Sequence, residues 1–274
     1  MAQDILVVID NEAGVARRLA PVAALAKRVQ LRLTGMYVTG LPMTQAFGDL
    51  DGWAQLLDAY MTAQRAEALK AERAFRQELG RLGLAGDWHS REGDMTEGVV
   101  GLARLHDLVV MGQPDPDASV NALRPGEVVL AAGRPALLVP YAGNFTELGR
   151  HVLVAWNGTR EAARALYDAM FLIEGAEAVT VLEIDPPDIE DGNPDLRARH
   201  VVDMLKRRGV AAKAENTVSD GTSVADIILS LAADLTADLV VMGAWGHSRL
   251  REYVLGGASR GILQELTVPV LMSH

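Results

Sequence analysis

Short, wholly apolar runs alternate along this chain with longer segments in which apolar residues recur every three to four positions. The runs 5–9 (ILVVI), 108–111 (LVVM), 152–155 (VLVA) and 239–242 (LVVM) have no polar face. Strands of that kind are buried on both sides, as in a parallel sheet covered by helices above and below. The segments between them carry the helical period that crossovers need. In the first half the pattern predicts strands 4–9, 31–38, 85–91, 107–112 and 136–139, with helices over 13–29, 52–82, 95–105 and 123–132. In the second half it predicts strands 151–156, 178–184, 211–217, 238–243 and 268–272, with helices over 159–173, 194–208, 222–235 and 258–266. The expected fold class is α/β, as two tandem five-stranded parallel-sheet domains with Rossmann-like layering. Their bounds are 1–140 and 151–274, and the glycine-bearing stretch 141–150 links them.

The two halves are copies. Ile5 to Asp10 (ILVVID) is echoed by Val152 to Asn157 (VLVAWN), and Asp107 to Gly112 matches Asp238 to Gly243 residue for residue as DLVVMG. Arg134 to Val139 matches Val268 to Ser273 around a shared proline. The landmarks follow the same order in both halves, which is the signature of duplication. Right-handed crossovers then put every β-to-α loop at the carboxyl ends of the strands, where open parallel sheets bind ligands.

One of those loops is punctuated by glycine. Gly243 closes a strand, Gly246 follows, and Gly256 and Gly257 stand before the last helical segment. Such glycines bring main-chain N–H groups close to a bound anion, and Gly256, Gly257, Ala258 and Ser259 fall at a helix mouth that favours phosphate. Spacing alone equally allows a plain tight loop between two strands. The matching loop of the first half reads QPDPDASVNALRPGE, with prolines and acids where N–H donors are needed, so its cradle is expected to be lost. The first half also carries an insertion over 39–52, of a composition that suits a flap or an interface.

Composition narrows the function classes. A chain of 274 residues with 49% apolar and 23% charged residues is a globular one with ample core. A net charge of −10 argues against a nucleic-acid or anionic-membrane partner. With no cysteine, thiolate chemistry and disulfides are excluded. No apolar stretch reaches the ~18 residues that span a bilayer, and a cytoplasmic location is expected. The six histidines are scattered without metal-ligand spacing, so no metal site is expected.

The paired β1-type runs, the two DLVVMG strands, the loop from Gly243 to Gly257 and the PVLMS ending resemble the universal stress protein superfamily in its tandem two-domain form. The resemblance covers essentially the whole chain. It implies a five-stranded parallel sheet of the adenine nucleotide alpha hydrolase-like kind. ATP-binding members carry G-x2-G-x9-G-[S/T], and Gly243, Gly246 and Gly256 occupy its glycine positions. Gly257 stands where Ser or Thr is expected, and Ser259 supplies a hydroxyl two residues later. In such relatives an Asp after the first strand, and main-chain groups at the end of the second, read the adenine. Those positions are Asp10 and Val38 in the first half and Asn157 and Glu183 in the second. Asn157 fits equally an adenine contact and a turn residue ahead of a Thr159 helix cap. His247, Ser248 and Arg249 face the phosphates on this reading, with Arg249 the candidate ion contact. The resemblance also implies pairing through the last strands, here internally between 135–139 and 268–272.

No Walker lysine or kinase motif is present, and the glycine loop has no lysine. The expected function is therefore a non-catalytic stress-response module. It binds ATP or AMP, with Mg²⁺ on the phosphates if any, mainly in the second domain. Its expected partners are the nucleotide, a second tandem chain and an unspecified protein. The alternative is a dimeric scaffold of the same family that needs no nucleotide. The acidic stretch that starts at Asp185 reads either as a solvated loop or as a carboxylate pair for Mg²⁺.

Overall fold

The computed structural model describes residues 3–40, 53–113, 123–186, 194–246 and 257–274. The first half contains β1 (Gln3–Val8), α1 (Val15–Ala26), β2 (Leu31–Thr39), α2 (Trp53–Leu82), β3 (Gly86–Glu92), α3 (Met95–Ala103), β4 (Leu108–Gly112), α4 (Pro125–Ala132) and β5 (Ala136–Val139). The second contains β6 (His151–Ala155), α5 (Arg160–Asp168), α6 (Met170–Ile173), β7 (Ala178–Ile184), α7 (Ala198–Arg207), β8 (Ala212–Thr217), α8 (Val224–Asp234), β9 (Leu239–Gly243), α9 (Gly257–Gln264) and β10 (Val270–Ser273). Three expected helices differ. The segment 13–29 opens as a 3₁₀ turn at Glu12–Gly14, capped by Asn11; 159–173 divides at Ala169 into α5 and α6; and 194–208 opens as a 3₁₀ turn at Pro194–Leu196 before α7.

The strands form one sheet, in the order β3-β2-β1-β4-β5-β10-β9-β6-β7-β8. Each half is parallel throughout, and the halves meet where β5 and β10 run antiparallel, with Leu137 opposite Leu271. So the two expected five-stranded sheets are merged into a ten-stranded mixed one, through the last-strand pairing that the resemblance implied. The reason is local. β5 and β10 are four-residue strands, buried at every position, and either one left as an edge would present unpaired N–H and C=O groups.

Alternation along the strands sorts the core into two layers that each run through both halves. Ile5, Val7, Leu137, Leu271, Val152 and Val154 face α1, α2, α5 and α7. Leu6, Val8, Leu138, Val270, Met272 and Leu153 face α3, α4, α8 and α9. The aspartate of each DLVVMG run has the same task in both copies. Asp107 accepts the N–H of Asp4 at 3.0 Å, and Asp238 accepts those of Gly149 and Arg150 at 2.7 and 3.0 Å, so each pins the start of the neighbouring strand. Burial raises the Asp238 carboxyl above its ordinary range, against the pull of those N–H groups.

Two polar side chains rivet the halves together. Arg28, on the turn after α1, donates to the carbonyls of Leu148, Gly149 and Leu172 at 3.2, 3.1 and 2.7 Å. Gln113, just past β4, donates to the carbonyl of Gln264 at the end of α9 and accepts from Tyr141 N–H at 3.3 Å. Gln113 is buried in this seam.

Candidate functional site

A pocket of about 270 Å³ opens at the carboxyl ends of β6, β7 and β9, where the sequence of the second half put its ligand. Three elements build it. The strand ends supply Ala155, Trp156, Asn157, Leu182, Ile184, Asp185, Met242 and Gly243; the first turn of α9 supplies Gly257, Ala258 and Ser259; and α8 adds Val224 and Ile228. The walls are mostly aliphatic, with polar side chains from Asn157, Asp185 and Ser259. Trp245 and Gly246 complete the lining on the glycine-loop side.

The polar groups are fixed in definite roles. Asn157 Oδ1 accepts from the N–H and the hydroxyl of Thr159, at 3.3 and 2.8 Å, and Thr159 Oγ1 in turn caps α5 by accepting from Ala162 N–H. The turn reading of Asn157 therefore holds for its oxygen, and what the side chain offers the pocket is its Nδ2 donor. Ser259 is buried, and its Oγ accepts the Trp245 N–H at 3.1 Å, so it ties the α9 mouth to the loop after β9. Among the described residues nothing lies within 4 Å of where a Cβ on Gly257 would stand.

Gly243 is required by packing as well as by the turn. A Cβ there would lie 2.5 Å from Ala162 N and 2.6 Å from the Glu161 carbonyl carbon, because the first turn of α5 is drawn against the end of β9. A Cβ on Gly246 would meet Glu161 Oε2 at 2.9 Å and Thr159 Oγ1 at 3.0 Å. Burial of Glu161 pushes its carboxyl up. The ion pair with Arg160, its own main-chain N–H and the nearby His274 outweigh that, and leave it below the ordinary range. A charged carboxylate thus stands behind the glycine loop.

Two bulky or charged residues of the lining have left-handed backbones, Asp185 at φ 49° and Trp245 at φ 53°. Such conformations cost roughly 1–3 kcal/mol each and gather at ligand sites. The carboxylate of Asp185 accepts from Ser219 N–H at 2.8 Å, and this N–H, helped by the Ser219 hydroxyl, holds its carboxyl below the ordinary range. Trp245 reaches the other half: a Cβ on Gly126 of α4 would lie 3.1 Å from its indole. Trp156 is anchored by an indole N–H to Leu196 carbonyl bond of 2.7 Å.

Comparison with known proteins agrees with this geometry. Residues 149–274 match the universal stress protein family. The crystal structure of a universal stress protein from Archaeoglobus fulgidus DSM 4304 superposes with a TM-score of 0.75 at 18% identity, covering 99% of this chain and 96% of its own. The chain has the universal stress protein fold. A functionally unknown protein from Pseudomonas aeruginosa PAO1 also superposes, with a TM-score of 0.57 at 17% identity, over 99% of this chain and 92% of its own. No curated protein sequence matches the chain.

On this universal stress protein fold the candidates expected from the sequence separate into three groups. Asn157, Gly243, Gly246, Gly257, Ala258 and Ser259 come together around the pocket. Glu183 does not line it. Its buried carboxylate pairs with Arg197 at 2.8 Å and accepts from Ala198 N–H at the start of α7, while its neighbours Leu182 and Ile184 face the pocket. His247, Arg249 and Gly256 lie outside the described residues, as do most of the 39–52 insertion and the first-half loop 114–122. Trp156, Trp245, Val224 and Ile228 line the pocket without having been expected there, and Asp185, read from sequence either in a solvated loop or in a carboxylate pair for Mg²⁺, lies among them. Among the described residues no group of three or more His, Asp or Glu side chains is placed to hold a metal ion. No described helix is long and apolar enough to cross a membrane.

Proposed function

We propose that this chain is a non-catalytic universal stress protein module that binds one adenine nucleotide, ATP or AMP, in the pocket of its second half. On this reading residues 1–140 and 151–274 are two domains of one family. The observation that carries it is the joining, in one small pocket, of an aliphatic slot, a helix mouth bare of side chains at Gly257 and two strained residues on the rim. The slot suits a flat base, and the N–H groups at the start of α9 suit a phosphate. A volume near 270 Å³ lies at the low end for small-ligand pockets, which favours a mononucleotide over a dinucleotide. The main-chain amides of Gly257, Ala258 and Ser259 would hold the phosphate, and Asn157 and Asp185 would meet polar atoms of the nucleoside. Mg²⁺ would arrive on the phosphates of ATP. No lysine stands in the loop to clamp a transferring phosphoryl group, in keeping with binding without fast turnover. Isothermal titration with ATP and with AMP tests the proposal: saturable binding is expected, and no heat at millimolar nucleotide discards it.

A second reading, a scaffold that works without nucleotide, draws on the bond between Ser259 and Trp245, which partly closes the turn beyond Met242 on itself. It predicts the same solution assembly with and without nucleotide. Because β5 and β10 are already paired within the chain, a dimer of whole chains has to use another surface. Sedimentation in the presence and absence of ATP separates the two readings.

A further inference from the structure

We infer that Glu161 limits the number of phosphates this pocket accepts, favouring a nucleoside monophosphate over a triphosphate. The inference rests on the nucleotide reading above and concerns only its phosphate end. AMP and ATP share base and sugar, so what separates them acts on two further anionic phosphates. With one phosphate on the amides of α9, the others lie beside that mouth and the loop after β9. Gly246, on that loop, lines the pocket.

Against Gly246 stands one oxygen of a buried acid. Glu161 Oε2 would be 2.9 Å from a Cβ there, while Arg160 Nε holds the other oxygen, Oε1. Thr159 Oγ1 is equally near, but its hydroxyl donates to Asn157 Oδ1 and has no proton left for Glu161. The ion pair is unequal in its surroundings: the Glu161 side chain is 7% exposed and that of Arg160 84%. Water screens the cation, whereas the anion acts through a poorly polarisable wall, so the pair turns a negative face to the loop. Burial by itself would neutralise the acid. Arg160 and His274, the charges that act on it, and its own N–H keep its carboxyl below the ordinary range, so it is ionised at neutral pH. The first half lacks this acid as it lacks the cradle. Gly14 stands at the matching position, and the guanidinium of Arg18 fills the space over it. A single phosphate has the α9 amides to itself, and each phosphate added brings more negative charge towards the same carboxylate.

The test titrates AMP, ADP and ATP, in EDTA so that no cation masks their charge, into wild type, Glu161→Gln and Glu161→Asp. Glutamine keeps the shape and removes the charge, and aspartate keeps the charge and alters the shape. Wild type is expected to bind AMP roughly tenfold more tightly than ATP, with ADP between them. In Glu161→Gln that ratio should fall to within about twofold, chiefly because ATP gains, and Glu161→Asp should keep most of it. The ratio is read within each protein, so a fraction that fails to fold cancels. An unchanged ratio in Glu161→Gln, a wild type that prefers ATP, or an equal collapse of the ratio in both variants overturns the inference and leaves the nucleotide reading standing. If wild type binds none of the three, both fall together.

Discussion

Gly112 and Gly243 end the same strand in the two copies of the repeat, yet each makes room for something different. Over Gly112 lies the guanidinium of Arg18, so close that a Cβ would be 2.4 Å from its Nη2, and Gly14 is covered in the same way. That guanidinium is 93% buried, pairs with Asp10 at 2.5 Å, and leaves Nε and Nη1 without partners among the described residues. Over Gly243 lies the main chain of α5, and beyond it the pocket. The next position diverges too: Gln113 is spent riveting the halves, whereas Ala244 is a small core residue. One strand-turn design thus closes on itself with an ion pair in the first half and holds a cavity open in the second. The Asp10 carboxylate that the family resemblance assigns to a base already has a cation beside it, whereas Asn157 at the matching position has none among the described residues.

Substitutions at matched positions sharpen that contrast, and the largest effect is expected at Gly243. Gly243→Ala sets a methyl against main-chain atoms of α5 that have nowhere to go, and should cost about 3 kcal/mol in urea unfolding. Gly112→Ala meets the tip of a side chain instead and should cost about 1 kcal/mol. Equal costs would erase the distinction between the halves. Two first-half arginines, Arg28 at the seam and the buried Arg18, give the next pair. Arg28→Met strands three carbonyls at the seam and should cost about 2 kcal/mol. Arg18→Met leaves Asp10 without its cation, but that carboxylate is partly exposed to water and the lost guanidinium has two idle donors, so a smaller cost of about 1 kcal/mol is expected.

The smallest effect is a pH dependence at Glu161. Its folded carboxyl titrates below its ordinary 4.5, so its stabilisation is complete above that value and is lost as pH falls through the folded one. The stability gap between wild type and Glu161→Gln should therefore be widest near neutral pH and shrink as pH falls below 4.5 through the lowered folded value. A gap that widens in acid would mean that the Arg160 and His274 neighbours do not act as described.

The repeat was legible because a strand buried on both faces leaves an unbroken apolar run, and the two DLVVMG runs even share the task of their aspartates. Pairing of β5 with β10 followed from the need to cover two short apolar edges. The pocket was legible only in part. Glycines mark where a backbone can come close, so Gly243, Gly246 and Gly257 were found. Glu183 was named for its main chain; its side chain turns to Arg197 and the start of α7, while Leu182 and Ile184 line the pocket, because in a strand one residue reverses the face. Trp245 was hidden because its position depends on a left-handed turn and on Gly126 in the other half, neither of which has a local sequence mark. Asp185 was legible only as an acid, in a solvated loop or in a carboxylate pair for Mg²⁺, because nothing in the sequence marks its left-handed turn into the pocket lining.

The central claim, one anion-binding mouth per chain and that one at α9, is met most directly by native mass spectrometry with AMP on wild type and Gly257→Asp. The added carboxylate enters open space at a helix start, which favours acids, so folding should be untouched while phosphate is repelled. The account predicts one AMP per wild-type chain and none on Gly257→Asp at equal thermal stability. Two AMP per chain, or undiminished binding by Gly257→Asp, would contradict it.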